Sequence, residues 1–333
     1  MTAQAPVPSP LSRSAMRQAM DRIMAGAMPS EEISALLRGL AQRGESAEEI
    51  AGGVDSLREH AVRLPLSRAY ELCDTCGTGG DGQGTINVST LAALIVAACG
   101  VRVAKHGNRA ASSRCGSADL LAALGLNLEA EPTRVAESLE TLGFGFCFAP
   151  RFHPAMKAVA PIRKALGIRT IFNLIGPLAN PAPLAWQLVG VSEARVMRPM
   201  AEALQALGLR HALVVHGRDG LDEVTTTRET DVLEVRPSGI QSFEISPDEF
   251  SMPRSTPADL KGGDPIENAR LAQEILAGAS SPRLDLVVLN AGSALYAADH
   301  VTSIREGVTR AIAAVEDGRA ARLLTQVIEL SNR

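Results

Sequence analysis

The chain is 333 residues long, 46% hydrophobic and 21% charged, with a net charge of −4, the size and balance of a soluble globular protein of two domains with a buried core. No basic field is available for nucleic acid, and one Trp and two Tyr leave few rings for base stacking. The most apolar stretch, Leu91 to Val101, is too short to cross a bilayer and reads as a buried core helix, so neither nucleic acid nor a membrane is an expected partner.

Met1 to Ser14 is rich in Pro and Ala and lacks the basic start and apolar run of a signal peptide; residues 1–12 are expected to be a disordered tail. The next fifty residues read as helix only. Met16, Met20, Ile23 and Met24 form one apolar stripe. Ser30 is the expected cap of a second helix, with Glu31 and Glu32 in its first turn and Ile33, Leu36, Leu37 and Leu40 along its face. Ser46 opens a third, which carries Ile50, Val54 and Leu57.

After Leu66 strands alternate with helices. Leu72 to Thr75 is an expected strand, followed by a glycine-rich loop and a helix from Val88 to Cys99. Val101 to Ala104 is a second strand, followed by a loop from Lys105 to Gly116 and a helix through Leu124. Further on, the pattern predicts a helix over Val196–Leu207, a strand over Ala212–Val215 and a hairpin over Thr230–Ile245 that turns at Ser238-Gly239. A strand at Leu284–Leu289 leads into C-terminal helices, and Gly176–Pro183 and Pro253–Asp264 read as loops. The fold class is α/β: a small N-terminal α-helical domain and a larger α/β domain with a mostly parallel central sheet. Five cysteines, an odd count without secretory features, suggest reduced thiols in a cytoplasmic protein. Cys73 and Cys76 form a C-x-x-C, but no second pair follows at zinc spacing.

Gly77-Thr-Gly-Gly-Asp-Gly82 lies between a strand and a helix, where bare backbone N–H groups can cradle phosphate and glycines permit the close approach. The segment satisfies the dinucleotide pattern G-x-G-x-x-G, yet no acid for a ribose lies between Ala97 and Lys105, and Asp81 inside the loop would repel an unshielded pyrophosphate. Asn87 to Thr90 can be a plain helix cap or can aim its hydroxyls and amide at a phosphate on the positive helix end. Lys105 to Ser113, with Gly116-Ser117 after it, gathers cations and hydroxyls at a strand end; it suits a polyanion, with a solvated basic loop as the bland reading. Asp222-Glu223 can be solvated acids or hard oxygen ligands for magnesium beside substrate phosphates. Arg163, on an expected helix after Phe152-His153-Pro154, can be a surface residue or a two-pronged contact for a carboxylate.

Taken together, GTGGDG with NVST, KHGNRAASS with GSADLL, the run from Phe148 to Pro181 and VVHGRDGLDEV resemble the anthranilate phosphoribosyltransferase family, a branch of the nucleoside phosphorylase and phosphoribosyltransferase-like folds, from about Ser14 to Leu330. The resemblance implies transfer of the 5-phosphoribosyl group of phosphoribosyl pyrophosphate to the amine of anthranilate, in tryptophan biosynthesis. It implies a homodimer whose subunits have a helical domain at 13–66, joined by helices from about 165–190, and an α/β domain at 67–333. Carried over residue by residue, it places phosphoribosyl pyrophosphate on Gly77, Gly80, Asp81, Thr85, Asn87, Val88, Ser89, Thr90, Lys105, His106, Gly107, Asn108, Arg109, Ala110, Ala111, Ser112, Ser113 and Ser117. Anthranilate would meet Gly77, Asn108, His153 and Arg163; Ser89, Asp222 and Glu223 would hold Mg2+, two ions per site; and Lys105, Asp222 and Glu223 would carry the catalysis. Cys115, where the family more often has Ser or Ala, and the linker Gln83-Gly84 are small departures. A pyrimidine nucleoside phosphorylase, which shares the fold, would need base-reading residues not found here. A nucleic-acid-binding homologue would need a basic surface.

Overall fold

The computed structural model describes residues 9–110 and 113–333, so Ala111 and Ser112 lie outside the described residues, as does the tail before Ser9. The chain opens with α1 (Arg13–Met24), α2 (Ser30–Arg43) and α3 (Ala47–Glu59). Ser12 caps α1 by accepting from Ala15 N–H, and Ser46 and Glu49 close a reciprocal capping box on α3. On α2 the cap is Pro29, without a side-chain bond, and Ser30 is the first helical residue. Proline's fixed φ suits that entry, which displaces the expected cap by one position.

The α/β part runs β1 (Leu72–Gly77), α4 (Val88–Ala98), β2 (Val103–Gly107), α5 (Ser117–Ala123), α6 (Pro132–Leu142), β3 (Phe144–Phe148) and α7 (Ala149–Phe152). It continues through α8 (Ala160–Leu166), α9 (Ile171–Leu178), β4 (Leu184–Gly190), α10 (Met197–Ala206), β5 (His211–Gly217) and the hairpin β6 (Thr230–Arg236) and β7 (Gly239–Ile245). Four helices close the chain: α11 (Pro265–Leu276), α12 (Pro282–Ala297), α13 (Ile304–Glu316) and α14 (Arg319–Ser331).

The seven strands form one sheet in the order β3-β2-β1-β4-β5-β6-β7. The first five are parallel and the hairpin is antiparallel. The hairpin pairs Arg236 with Gly239, so its turn is Pro237-Ser238, one residue before the expected position. From β1 the chain steps outward through β2 and β3, then returns to lay β4 on the other side of β1. The order in which the chain adds strands therefore reverses between β1 and β4, and in open parallel sheets ligands bind outside the carboxyl ends of the strands at such a point.

Apolar clusters cover both faces of the sheet. One joins Met16, Met20 and Ile50 of the N-terminal helices to Ile171 and Ile175 of α9, Met200 of α10 and the sheet residues Val189 and Val214. Another places α4, α11, α12, α13 and α14 against the opposite face through residues such as Leu94, Val287, Leu188 and Val215.

Three sequence expectations need correction. Leu284–Leu289 is helix, part of α12, not strand. That helix is buried almost all round, so its apolar run has no 3.6-residue alternation to distinguish it from an interior strand. Gly176 to Leu178 complete the last turn of α9 rather than a loop, with Pro177 inside the helix. Finally, the helices expected up to about 190 stop at Leu178, because Leu184–Gly190 is the central strand β4, which pairs with both β1 and β5.

Candidate active site

The carboxyl ends of β1 and β4 finish on paired glycines, Gly77 and Gly190. Neither position has room for a side chain. A Cβ on Gly77 would lie 2.3 Å from Asp222 Oδ2, and one on Gly190 would lie 1.6 Å from the Asp222 carbonyl oxygen. The acidic segment after β5 therefore folds back across the switch point and rests directly on two bare strand ends. Gly190 was not among the residues singled out from sequence; its signal is visible only once β4 is recognised as β1's neighbour.

Beyond Gly77 the chain loops outward with left-handed φ at Gly79, Gly80, Gly82 and Gly84. Thr78 N–H donates to Gly190 O (2.9 Å) and Gly79 N–H donates to Asp222 Oδ2 (2.6 Å), which ties the loop to both flanking segments. Asp81 turns inward to accept from Gln83 N–H (3.2 Å). Thr85 forms an isolated bridge with Lys261.

Asp222 and Glu223 are buried, 8% and 9% exposed. Burial, with the Asp81 charge alongside, pushes the Asp222 carboxyl up to about 7. Burial and then the Asp222 charge hold Glu223 well above the usual carboxylate range, against the pull of Lys105. Burial also raises Asp81. Carboxylates crowded under desolvation in this way gain most from a cation. Hard oxygen donors of this kind, with the Ser89 hydroxyl on the facing helix, fit a divalent ion such as Mg2+.

The α4 amino end differs from the plain-cap reading. Asn87 makes no side-chain cap bond. Its Nδ2 donates to Cys115 O (3.0 Å) and its Oδ1 accepts from Asn268 Nδ2 (3.0 Å), so the amide ties α4 to the loop before α5 and to α11. Val88 is buried, and Thr90 is buried with no partner for its hydroxyl among the described residues. The Ser89 carbonyl accepts from Thr75 Oγ1 (2.7 Å).

Lys105 is 2% exposed and sits beneath the glycine loop rather than in front of it. Its Nζ donates to Thr75 O (2.6 Å) and lies 3.5 Å from Ser89 Oγ. Asp74, buried beside it, is pushed up to about 6 by burial despite the Lys105 charge and the Asn180 amide, whose Nδ2 donates to Asp74 Oδ2 at 2.8 Å.

Asp119 of α5, a residue absent from the sequence-based set, joins the described stretches on either side of residues 111–112. Asp119 Oδ2 accepts from Ala110 N–H (2.8 Å) and Gly116 N–H (3.0 Å), and Oδ1 pairs with Arg109 Nη1 (2.9 Å). Although burial opposes it, these donors hold the Asp119 carboxyl below the usual range. Asn108 is exposed; its carbonyl accepts from Ala118 N–H and Ser117 Oγ. Ser113 Oγ donates to Cys115 O.

His106 and His153 meet with ring centroids 5.1 Å apart, and the Nε2 of each is covered and has no partner among the described residues. Burial, with the neighbouring His153 next in effect, holds His106 well below its ordinary value, and burial lowers His153 as well. Arg163 lies over the Phe172 ring at 5.3 Å, and burial alone lowers its pKa, with no carboxylate raising it. Its link toward the glycine loop is α9, which carries Phe172 and whose Pro177 carbonyl accepts from Cys76 Sγ (3.5 Å) at the end of β1.

Comparison with known proteins bears on the same features. The model of the glycosyl transferase family a/b domain matches residues 69–321, and that of the glycosyl transferase family helical bundle domain matches residues 8–61. The anthranilate phosphoribosyltransferase of Rubrobacter xylanophilus is 49% identical over 97% of this chain and 94% of its own length. The crystal structure of the Thermus thermophilus anthranilate phosphoribosyltransferase superposes with a TM-score of 0.93 at 47% identity, covering 98% of this chain and 97% of that one. The Saccharomyces cerevisiae enzyme, solved in complex with phosphoribosyl pyrophosphate and Mg, gives a TM-score of 0.89 at 28% identity, covering 97% and 94%. This chain belongs to the anthranilate phosphoribosyltransferase family.

Proposed function

We propose that the chain moves the 5-phosphoribosyl group of phosphoribosyl pyrophosphate onto the amine of anthranilate, giving N-(5-phosphoribosyl)anthranilate and pyrophosphate. The observation that carries this reading is the acidic segment seated on Gly77 and Gly190 at the switch point, facing the glycine loop and the amino end of α4. The loop N–H groups and the positive end of α4 receive the diphosphate. Ser89, Asp222 and Glu223 hold Mg2+, which when bound offsets the charge on the departing pyrophosphate. Two ions per site are proposed on the family resemblance.

The amine nitrogen forms the new bond to the anomeric carbon as the bond to the pyrophosphate oxygen breaks, and the nitrogen then gives up a proton to solvent. Anthranilate's aromatic amine is already neutral near pH 7, so no strong base is needed. Lys105, buried below the loop, contributes its charge through the floor of the site. Arg163 is half-buried with no carboxylate of its own, which suits it to orient the acceptor's carboxylate. Asn108 and the main chain at Gly77 complete that pocket, while neutral His106 and His153 line the approach. A homodimer is proposed on the family resemblance. A cytoplasmic setting is supported by five cysteines present as thiols. Incubation with anthranilate, phosphoribosyl pyrophosphate and Mg2+ tests the reading: anthranilate fluorescence falls only when all three are present. Unchanged fluorescence from a folded protein rejects it.

A further inference from the structure

We propose that Asn290 is a positioning residue that sets the aim of the Asp222–Glu223 pair; this rests on reading that pair as the magnesium ligands. Asn290 lies within α12, on the far side of the acidic segment from Gly190, and is 0% exposed. Its Oδ1 accepts from Val224 N–H (2.9 Å), and its Nδ2 donates to Val224 O (2.8 Å) and to Leu286 O one turn back (2.8 Å). The Val224 N–H belongs to the peptide unit that joins Glu223 to Val224. Gripping both polar groups of Val224 fixes the backbone immediately after the two carboxylates, much as a strand partner would.

The segment is thus held from two sides. Gly77 and Gly190 contact Asp222 from the strand ends, and the Asn290 amide holds Val224 from the helix. Past Val224, Thr225 N–H donates to Thr230 Oγ1 (3.0 Å), so the far end is anchored to the hairpin. Only a carboxamide supplies a donor and an acceptor at these two places. Aspartate would present oxygen to two carbonyls, and leucine would leave the N–H and C=O of Val224 unpaired in the interior. Burial of the clamp away from solvent is what makes it a rigid support for carboxylates whose placement determines metal affinity.

The test uses Asn290→Ser. Ser293, three residues on in α12, already donates its hydroxyl to Leu289 O four residues back (2.9 Å), so a serine at 290 can keep the bond to Leu286 O while losing Val224. In the full chain, the half-saturating Mg2+ concentration for calorimetric binding of phosphoribosyl pyrophosphate and the KM for that substrate should rise by about tenfold or more, with the KM for anthranilate nearly unchanged. Ser293→Ala, which removes a buried helix bond without touching Val224, serves as the control and should leave the Mg2+ dependence unmoved. If Asn290→Ser does not fold, the same readouts on Asn290→Thr, whose hydroxyl can likewise keep the bond to Leu286 O, replace it. Asp222→Asn and Glu223→Gln run alongside. If these shift the Mg2+ requirement and the folded Asn290 variants do not, the positioning role is overturned. If neither set shifts it, the assignment of the pair as metal ligands fails, and the positioning role with it.

Discussion

The main chain of Asp222 crosses the end of β4 so closely that a Cβ on Gly190 would stand 1.6 Å from the Asp222 carbonyl oxygen. That contact is with backbone, which cannot rotate away as a flexible side chain would. Gly190→Ala must therefore push the acidic segment off the strand ends. A displacement near 1 Å at a reacting site costs on the order of a hundredfold in rate, so kcat/KM for phosphoribosyl pyrophosphate should fall by about that factor. Kinetics on folded Gly190→Ala that match the parent would show that the segment's seat is unimportant.

Arg163 gives a separable prediction. Its guanidinium packs on Phe172 and has no carboxylate partner raising its pKa. A charge-assisted contact to a substrate carboxylate is worth about 1.5–3 kcal/mol, so Arg163→Ala should raise the KM for anthranilate by about tenfold to a hundredfold. The KM for phosphoribosyl pyrophosphate should barely change. Equal shifts in both constants would place the arginine elsewhere in the mechanism.

Much of this arrangement was legible before folding, and the remainder was hidden for definable reasons. β1, β2 and β5 end in loops whose composition already points to phosphate and metal, because glycines, cations and adjacent acids serve that chemistry locally. β3 and β4 carry no such loops and were not recognised; Leu184–Gly190 has Trp and Gln within an apolar run and lies close to Pro-rich chain. Without β4, the role of Gly190 could not be seen. Asn87 reads as a cap, yet its amide is claimed by Cys115 O and Asn268, partners 28 and 181 residues away. Asp119 and Asn290 were missed likewise. An acid in the first turn of a helix and an amide in an apolar helix have ordinary local explanations, and only tertiary contact shows what they hold.

Asp119 joins the described stretches on either side of residues 111–112, accepting from Ala110 N–H and Gly116 N–H and pairing with Arg109. Asp119→Ala leaves two main-chain donors without their acceptor and releases Arg109. The KM for phosphoribosyl pyrophosphate should rise by about tenfold, the effect of about 1.4 kcal/mol, with a smaller effect on anthranilate. Steady-state titration of each substrate at saturating levels of the other separates the two. An unchanged KM for the diphosphate substrate would mean that the loop keeps its shape by other contacts.

His106 and His153 predict an acid-sensitive stability. Both pKa values lie below the ordinary 6.5 in the folded chain, through burial in each case and then, for His106, the proximity of His153. Below pH 6.5 the unfolded chain takes up protons that the folded pair refuses, so stability falls as pH drops. The slope is at most about 1.4 kcal/mol per pH unit for each ring. Urea midpoints measured from pH 7 down to about pH 5, the range in which histidine titrates, should decline less steeply in a His106→Gln/His153→Gln double variant. Parallel declines would contradict the neutral pair.

The central claim is that the glycine loop, the end of α4 and the acidic segment form one site for a metal-bound diphosphate. Calorimetric titration of the protein with phosphoribosyl pyrophosphate, with Mg2+ present and then absent, tests it most directly. The account predicts saturable binding that tightens when Mg2+ is added. A folded protein that takes up none of this ligand under either condition would contradict it.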